Sequence, residues 1–244
     1  MRARRLVAGL GVAAAAAVAV AALGAASGWW TIHPLAARRY DVWGVDVSHH
    51  QGPIDWARVA GDRRLRFAYV KATEGGDFVD PRFADNWRGA RRAGLRVGAY
   101  HFFSFCRPAA DQARHFLSVL PRDRDALPPA LDLELGGSCA RRPPPEVVAG
   151  EVAAWLADVE RGLGKRPVLY VTAETYALFV RGRTMAHPLW IRDVVREPRL
   201  DPAHAWAIWQ FWPRGRVAGI AGPVDLNALR SGLDALDVTR GGGG

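Results

Sequence analysis

From Trp43 onward the chain alternates short β-rich runs with amphipathic stretches of helical period, and no other feature limits the fold as much. Eight runs read as strands: Gly44–Ser48, Phe67–Thr73, Arg96–Phe103, Pro129–Leu135, Pro167–Thr172, Pro188–Arg192, Trp206–Phe211 and Val224–Leu226. Helical patterns follow most of the earlier ones, at Ile54–Gly61, Pro81–Ala93, Ala109–Leu120, Glu146–Gly162 and Glu174–Arg181, several with Pro in the first turn or Gly at the end. Strand–helix alternation argues for a parallel sheet. With eight strands, an α/β fold closed into a (β/α)8-like, TIM-type barrel is favoured over an open doubly wound sheet. The later strands leave no room for full helices, so the barrel is expected to be irregular. At 244 residues the chain suits one such domain.

Barrel enzymes place their chemistry at the C-terminal ends of strands, and the polar residues of this chain sit there. Asp46 and Ser48 end the first run, Lys71, Thr73 and Glu74 the second; Tyr100 and His101 lie late in the third, Asp132 and Glu134 late in the fourth. Tyr170 and Thr172 finish the fifth, Trp190 and Arg192 the sixth, Gln210 the seventh, and Asp225 lies in the last. The fourth run, Leu131-Asp132-Leu133-Glu134-Leu135, is the most telling. In a strand, residues i and i+2 share a face, which puts these two carboxylates side by side about 6.5–7 Å apart along the backbone. Like charges held that close should separate in pKa, one carboxyl staying ionised while the other keeps its proton. Such a pair suits glycoside hydrolysis, although the same spacing also fits a strand whose acids face water or pair with arginines.

The N-terminal stretch departs from the globular composition. Arg2, Arg4 and Arg5 precede residues 6–26, which are continuously Ala, Val, Leu and Gly, and no charged residue recurs before Arg38. Residues 1–27 are therefore expected to be a signal peptide or a signal anchor, 28–41 a connector, and 42–240 the barrel domain, with Gly241–Gly244 a disordered tail. Ala-Ala-Ser near residue 27 suits cleavage, while Trp29 and Trp30 suit retention at a membrane interface. Either outcome puts the domain outside the membrane.

The formal charge of +9 is nearly all arginine, lysine occurring only at 71 and 165. Biased residue usage explains most of that preference, and the excess would also draw an exported protein towards anionic lipids and wall polymers. Nucleic acid is a poor partner, because the arginines form no dense block and no binding motif accompanies them. Cys106 and Cys139 are an even pair in a chain that reads as exported, so a disulfide bracing the acidic strand is expected.

Seven segments considered together resemble a known family. Gly44-Val-Asp-Val-Ser-His-His-Gln-Gly52, Tyr69-Val-Lys-Ala-Thr-Glu-Gly75, Gly98-Ala-Tyr-His-Phe-Phe103, Leu131-Asp-Leu-Glu134, Pro188-Leu-Trp-Ile191, Ile208-Trp-Gln210 and Val224-Asp-Leu-Asn227 resemble glycoside hydrolase family 25, the Chalaropsis-type lysozymes or N-acetylmuramidases, in the family's order. The resemblance implies a modified barrel that cleaves the β-1,4 bond between N-acetylmuramic acid and N-acetylglucosamine in peptidoglycan. It implies Glu134 as general acid and Asp132 as its partner carboxylate, either as nucleophile or by steering the substrate's own 2-acetamido oxygen. Asp46 and Asp225 match the family's other two acidic positions. Tyr100, Tyr170, Trp190 and Trp209 are candidate stacking surfaces for sugar faces, with Gln210 and Lys71 as polar contacts. No cofactor or metal is implied, and a monomer meeting glycan strands of peptidoglycan is expected.

Other readings of the same residues stay open here. Asp46 can be a strand-end cap and Asp225 part of a turn, Lys71 can pair with Glu74 internally, and His101 reads as a buried residue behind the site. His49, His50 and Asp46 invite a zinc reading, but adjacent histidines on a strand end point to opposite sides and no later pair completes three ligands. Cys106 as a nucleophile is weaker still, given its partner thiol. In Leu189-Trp190-Ile191-Arg192-Asp193 a small residue would be usual in the family where Arg192 stands, which implies a narrower or more basic mouth. A catalytically silent wall-binding domain and another hexosaminidase, such as a chitinase, are the competing functions.

Overall fold

The computed structural model describes residues 17–20, 35–137, 139–184, 186–233 and 236. The expected export or anchor segment falls outside the described residues except for 17–20, and so does the glycine tail. Among the described residues no helix is long and apolar enough to cross a membrane.

The strands are β1 Trp43–Val47, β2 Leu65–Glu74, β3 Phe78–Val79, β4 Arg96–Phe102, β5 Ala130–Leu133, β6 Val168–Thr172, β7 Leu189–Arg192, β8 Trp206–Gly215 and β9 Val224–Leu229. The helices are α1 Trp56–Val59, α2 Phe83–Arg92, α3 Ala109–Val119, α4 Pro145–Leu163 and α5 Ala173–Phe179, with 3-10 turns at Leu35–Arg39 and His49–Gln51. Eight strands in the order β1-β9-β8-β7-β6-β5-β4-β2 close into a barrel through the β1–β2 pairing. The short β3, which the sequence pattern did not reveal, folds back on the end of β2 outside this ring, pairing Thr73 with Val79 and Glu74 with Phe78.

Parallel pairing holds from β1 through β2 and β4 to β8, but the last strand corrects the expectation. β9 runs antiparallel to both β8 and β1. Only residues 216–223 join it to β8, too few for the crossover that a parallel neighbour requires. The reversal brings the start of β9, rather than its end, to the mouth where the other strands finish, so Asp225 lies opposite Asp46 in register.

Strand alternation sorts the side chains into two cores. Inside the barrel Phe67, Tyr69, Ala130, Val168, Tyr170, Trp190, Ile208 and Leu229 pack together. The rings fit because two inward positions are glycine: a Cβ on Gly44 would lie 2.5 Å from the Phe67 ring, and one on Gly98 would lie 2.4 Å from that of Tyr69. The residues between them on each strand, such as Val45, Val70, Val97, Leu131, Leu133 and Val171, face the helices. Helix α4 meets them with Val148, Val152, Trp155, Leu156 and Val159, spaced to one helical face, and ends at Gly164 in the left-handed conformation with φ 65°. His101 belongs to this outer layer. It stacks on Trp155 at 5.5 Å between ring centroids and lies 2.7 Å from Thr73 Oγ1 and 3.0 Å from Gln112 Oε1. Burial pushes its pKa down to about 3, so it is a neutral structural residue, as the sequence suggested.

Candidate active site

The inward positions change character along the barrel. Towards the strand starts they are apolar, and at the opposite end Asp46, Lys71, Tyr100, Asp132, Tyr170, Arg192, Gln210 and Asp225 line a cleft of about 410 Å³ with Glu134. All eight barrel strands contribute, β5 through both Asp132 and the residue just beyond its end, Glu134, so the barrel assembles the site from positions up to 179 residues apart.

Asp46 is held by two amides. Gln210 Nε2 donates to its Oδ2 at 3.1 Å and Asn227 Nδ2 at 2.7 Å. Burial outweighs these bonds and lifts its pKa to about 6. Asp225 is pushed up to about 8, first by burial and then by the Asp46 charge across the ladder, with the Arg192 cation opposing both. Asp132 is driven well above the ordinary carboxylate range by burial, reinforced by the Glu134 charge. Its Oδ1 is buried without a hydrogen-bond partner. Asp132 points into the barrel and Glu134 lies just beyond the strand end, both half-buried.

Glu134 is tied to the floor through Tyr170, whose hydroxyl donates to Glu134 Oε1 at 2.8 Å and lies 3.0 Å from Gln210 Oε1. One hydroxyl proton serves one acceptor at a time. Burial, followed by the nearby carboxylates, keeps the hydroxyls of Tyr170 and Tyr100 protonated well above the ordinary tyrosine range. Trp190 lies flat in the floor, 2% exposed, against Tyr69 and Tyr170, with its indole N–H donating to Asn227 Oδ1 at 2.8 Å. At the rim Lys71 Nζ donates to Glu74 Oε2 at 2.6 Å and sits 4.8 Å over the Phe102 ring, so the internal ion pair forms within the cleft lining.

Trp209 must be corrected. It is fully buried, packs on Trp206 and Phe211, and donates its indole N–H to the Asp193 carbonyl at 2.7 Å, so no sugar can stack on it. The reason is parity: Gln210 faces the cleft, and its neighbour on the strand faces the outer layer. The histidines also differ from expectation. Ser48 caps a 3-10 turn instead of extending the strand, so the His49 and His50 rings lie 4.0 Å apart rather than on opposite sides. His49 pairs with the buried Asp80 at 2.8 Å, while His50 lines the cleft. The parity rule would have found two residues that the sequence reading passed over: Phe102, two after Tyr100, and Asn227, two after Asp225. His50, Gln51 and Pro213, which also line the cleft, lie on turns or a strand irregularity and carried no such signal.

The loop following Glu134 is braced twice. Cys106 and Cys139 form the expected disulfide, tying it to the loop after β4. Arg142 donates to the carbonyls of Leu135 at 2.6 Å and Cys139 at 2.9 Å.

A closed barrel with carboxylates from three strands converging on one polar cleft defines a glycoside hydrolase type of site. Comparison with known proteins gives the family. Residues 45–220 match the model for glycosyl hydrolases family 25, and the chain belongs to that family. It is 38% identical over 201 residues to the protein YegX of Escherichia coli K12, covering 81% of this chain and 72% of that one. It is 35% identical over 233 residues to Lysozyme M1 of Streptomyces globisporus, covering 88% and 76%. A solved family 25 glycosyl hydrolase from Bacillus anthracis superposes with a TM-score of 0.78 at 36% identity, covering 86% of this chain and 98% of that one.

Proposed function

We propose that this glycoside hydrolase is an exported muramidase that cuts peptidoglycan glycan strands at the β-1,4 bond after N-acetylmuramic acid. The single observation carrying this reading is the Asp132/Glu134 pair at the cleft, with Glu134 joined to Tyr170 and Asp132 presenting an unpartnered buried oxygen. Lysozyme M1, a relative over most of the chain, supplies the substrate class by its name. In this account Glu134 protonates the glycosidic oxygen as the bond to the anomeric carbon breaks. With a proton on Glu134, that carboxyl donates to the Tyr170 oxygen and Tyr170 donates on to Gln210, so every contact in the row is satisfied. Asp132 Oδ1 accepts the N–H of the 2-acetamido group, turning its carbonyl oxygen onto the anomeric carbon from the opposite side. Glu134, now ionised, then takes a proton from the water that opens the intermediate, with overall retention. Asp46 and Asp225 hold sugar hydroxyls and amides, Tyr100 offers the aromatic face, and residues 42–240 form the catalytic domain.

Incubating the protein with purified peptidoglycan should release muropeptides with new reducing muramic acid ends. Glu134→Gln should lower that release about 1,000-fold while sparing glycan binding. Binding without new reducing ends in the unsubstituted protein would refute the enzyme reading in favour of a silent wall-binding domain, and activity on chitin alone would move it to another hexosaminidase.

A further inference from the structure

The cleft holds one charge that the proposed chemistry leaves idle. Arg192 ends β7, between Thr172 of β6 and Gln210 of β8 in register. Two residues after the inward Trp190, it faces the barrel interior and is half-buried in the cleft lining. Among the described residues it makes no hydrogen bond, ion pair or ring contact. Its cation opposes the raised pKa values of Asp46 and Asp225, yet neither carboxyl closes an ion pair with it. The other cation of the lining, Lys71, stands on β2, directly across the ring from β7, and is already held by Glu74 at 2.6 Å.

A guanidinium presents five N–H donors in a planar fork that fits a carboxylate with two parallel bonds. Taking it partly out of water without an acceptor costs free energy that a ligand anion would offset. Elsewhere the walls carry the carboxyls of Asp46, Asp132, Glu134 and Asp225, which disfavour an anionic substituent. The glycan bears such a group on one of its two sugars. N-acetylglucosamine is neutral, whereas muramic acid carries a lactyl ether whose carboxyl is either free or amide-linked to a stem peptide with carboxylates of its own. Arg192 stands two strands from Asp132 in the ring, about 10 Å along the wall at 4.7–4.9 Å per strand, within the span of one sugar and its substituent.

We propose that Arg192 is a specificity residue that binds a carboxylate on the lactyl arm of muramic acid, so that the cleft prefers anionic over neutral glycan. The identity of the ligand rests on the muramidase reading.

Four glycans test it: strands stripped of stem peptide, the same strands with their lactyl carboxyls converted to methylamides, stem-bearing strands, and stem-bearing strands with their carboxyls methylamidated. For the unsubstituted protein KM should be about tenfold lower on the charged member of a pair, with kcat equal. A preference within the first pair assigns the lactyl carboxylate itself, and one confined to the second pair assigns the stem. Arg192→Gln should remove the preference by raising KM on the charged member, and Arg192→Lys, which keeps the charge without the fork, should restore part of it. A role confined to the field on Asp46 and Asp225 would instead shift the pH profile alike on all four glycans, and would overturn the assignment. Calorimetric binding of the same glycans to Glu134→Gln, with and without Arg192→Gln, makes the comparison without turnover. If no glycan yields new reducing ends, the muramidase reading fails and the Kd comparison still decides this proposal. Equal affinity for charged and neutral glycans, or a preference that survives Arg192→Gln, would overturn it even with hydrolysis intact.

Discussion

Replacing Asp225 by asparagine should make the protein more stable, and increasingly so as pH rises. The Asp225 carboxyl stands directly across an antiparallel ladder from Asp46 and is half-buried beside it, which lifts its pKa from 3.8 to about 8. In the unfolded chain the same group ionises near 3.9. Below about pH 4 it is protonated in both states and contributes nothing to the difference. Between about pH 4 and 8 the unfolded state releases a proton that the native state must retain, so stability falls as pH rises and levels off once the native carboxyl ionises. At 1.36 kcal/mol per pH unit the full displacement corresponds to about 5–6 kcal/mol. Solvent at the cleft screens part of this and Asp46 shares another part, so a gain of about 2–3 kcal/mol at pH 8 is expected for Asp225→Asn. Urea unfolding of both proteins at pH 4, 6 and 8 measures it. The two curves should coincide near pH 4 and diverge steadily above it. Equal stability at pH 8, or a difference that is constant from pH 4, would refute the account of Asp225 as a carboxyl strained by burial and its neighbour.

Three further outcomes follow from the geometry. Tyr170→Phe removes the hydroxyl that links Glu134 to Gln210 and should lower kcat about 100-fold with little change in KM, read by reducing-end release. The double substitution Cys106→Ser with Cys139→Ser reopens a loop with a sequence separation of 33 and should cost about 3–4 kcal/mol in urea unfolding, an outcome that reduction of the unsubstituted protein should reproduce. Trp209→Ala should cost about 3–5 kcal/mol of stability while leaving KM for soluble glycan unchanged, since the ring is core; a selective rise in KM would restore it as a sugar contact.

Local chemistry wrote most of this protein into its sequence. Eight β-rich runs with helical patterns between the earlier ones fixed the barrel strands and their boundaries to within a few residues, because periodicity and Gly and Pro punctuation are local properties. Parity within a single strand was equally legible: it placed Asp132 with Glu134 and, applied fully, would have assigned Trp209 to the core and Phe102 and Asn227 to the cleft. Three things depended on tertiary structure. The direction of β9 followed from the short link 216–223 and from closure against β1, and it alone put Asp225 opposite Asp46. The two-residue β3 exists only by pairing with the end of β2. The protonation of the carboxylates was also beyond the sequence, because a pKa answers to burial and to charges brought close from distant strands: Asp132 is raised by burial and by Glu134, its neighbour in the chain, and also by Asp46 and Asp225, which only barrel closure brings near it.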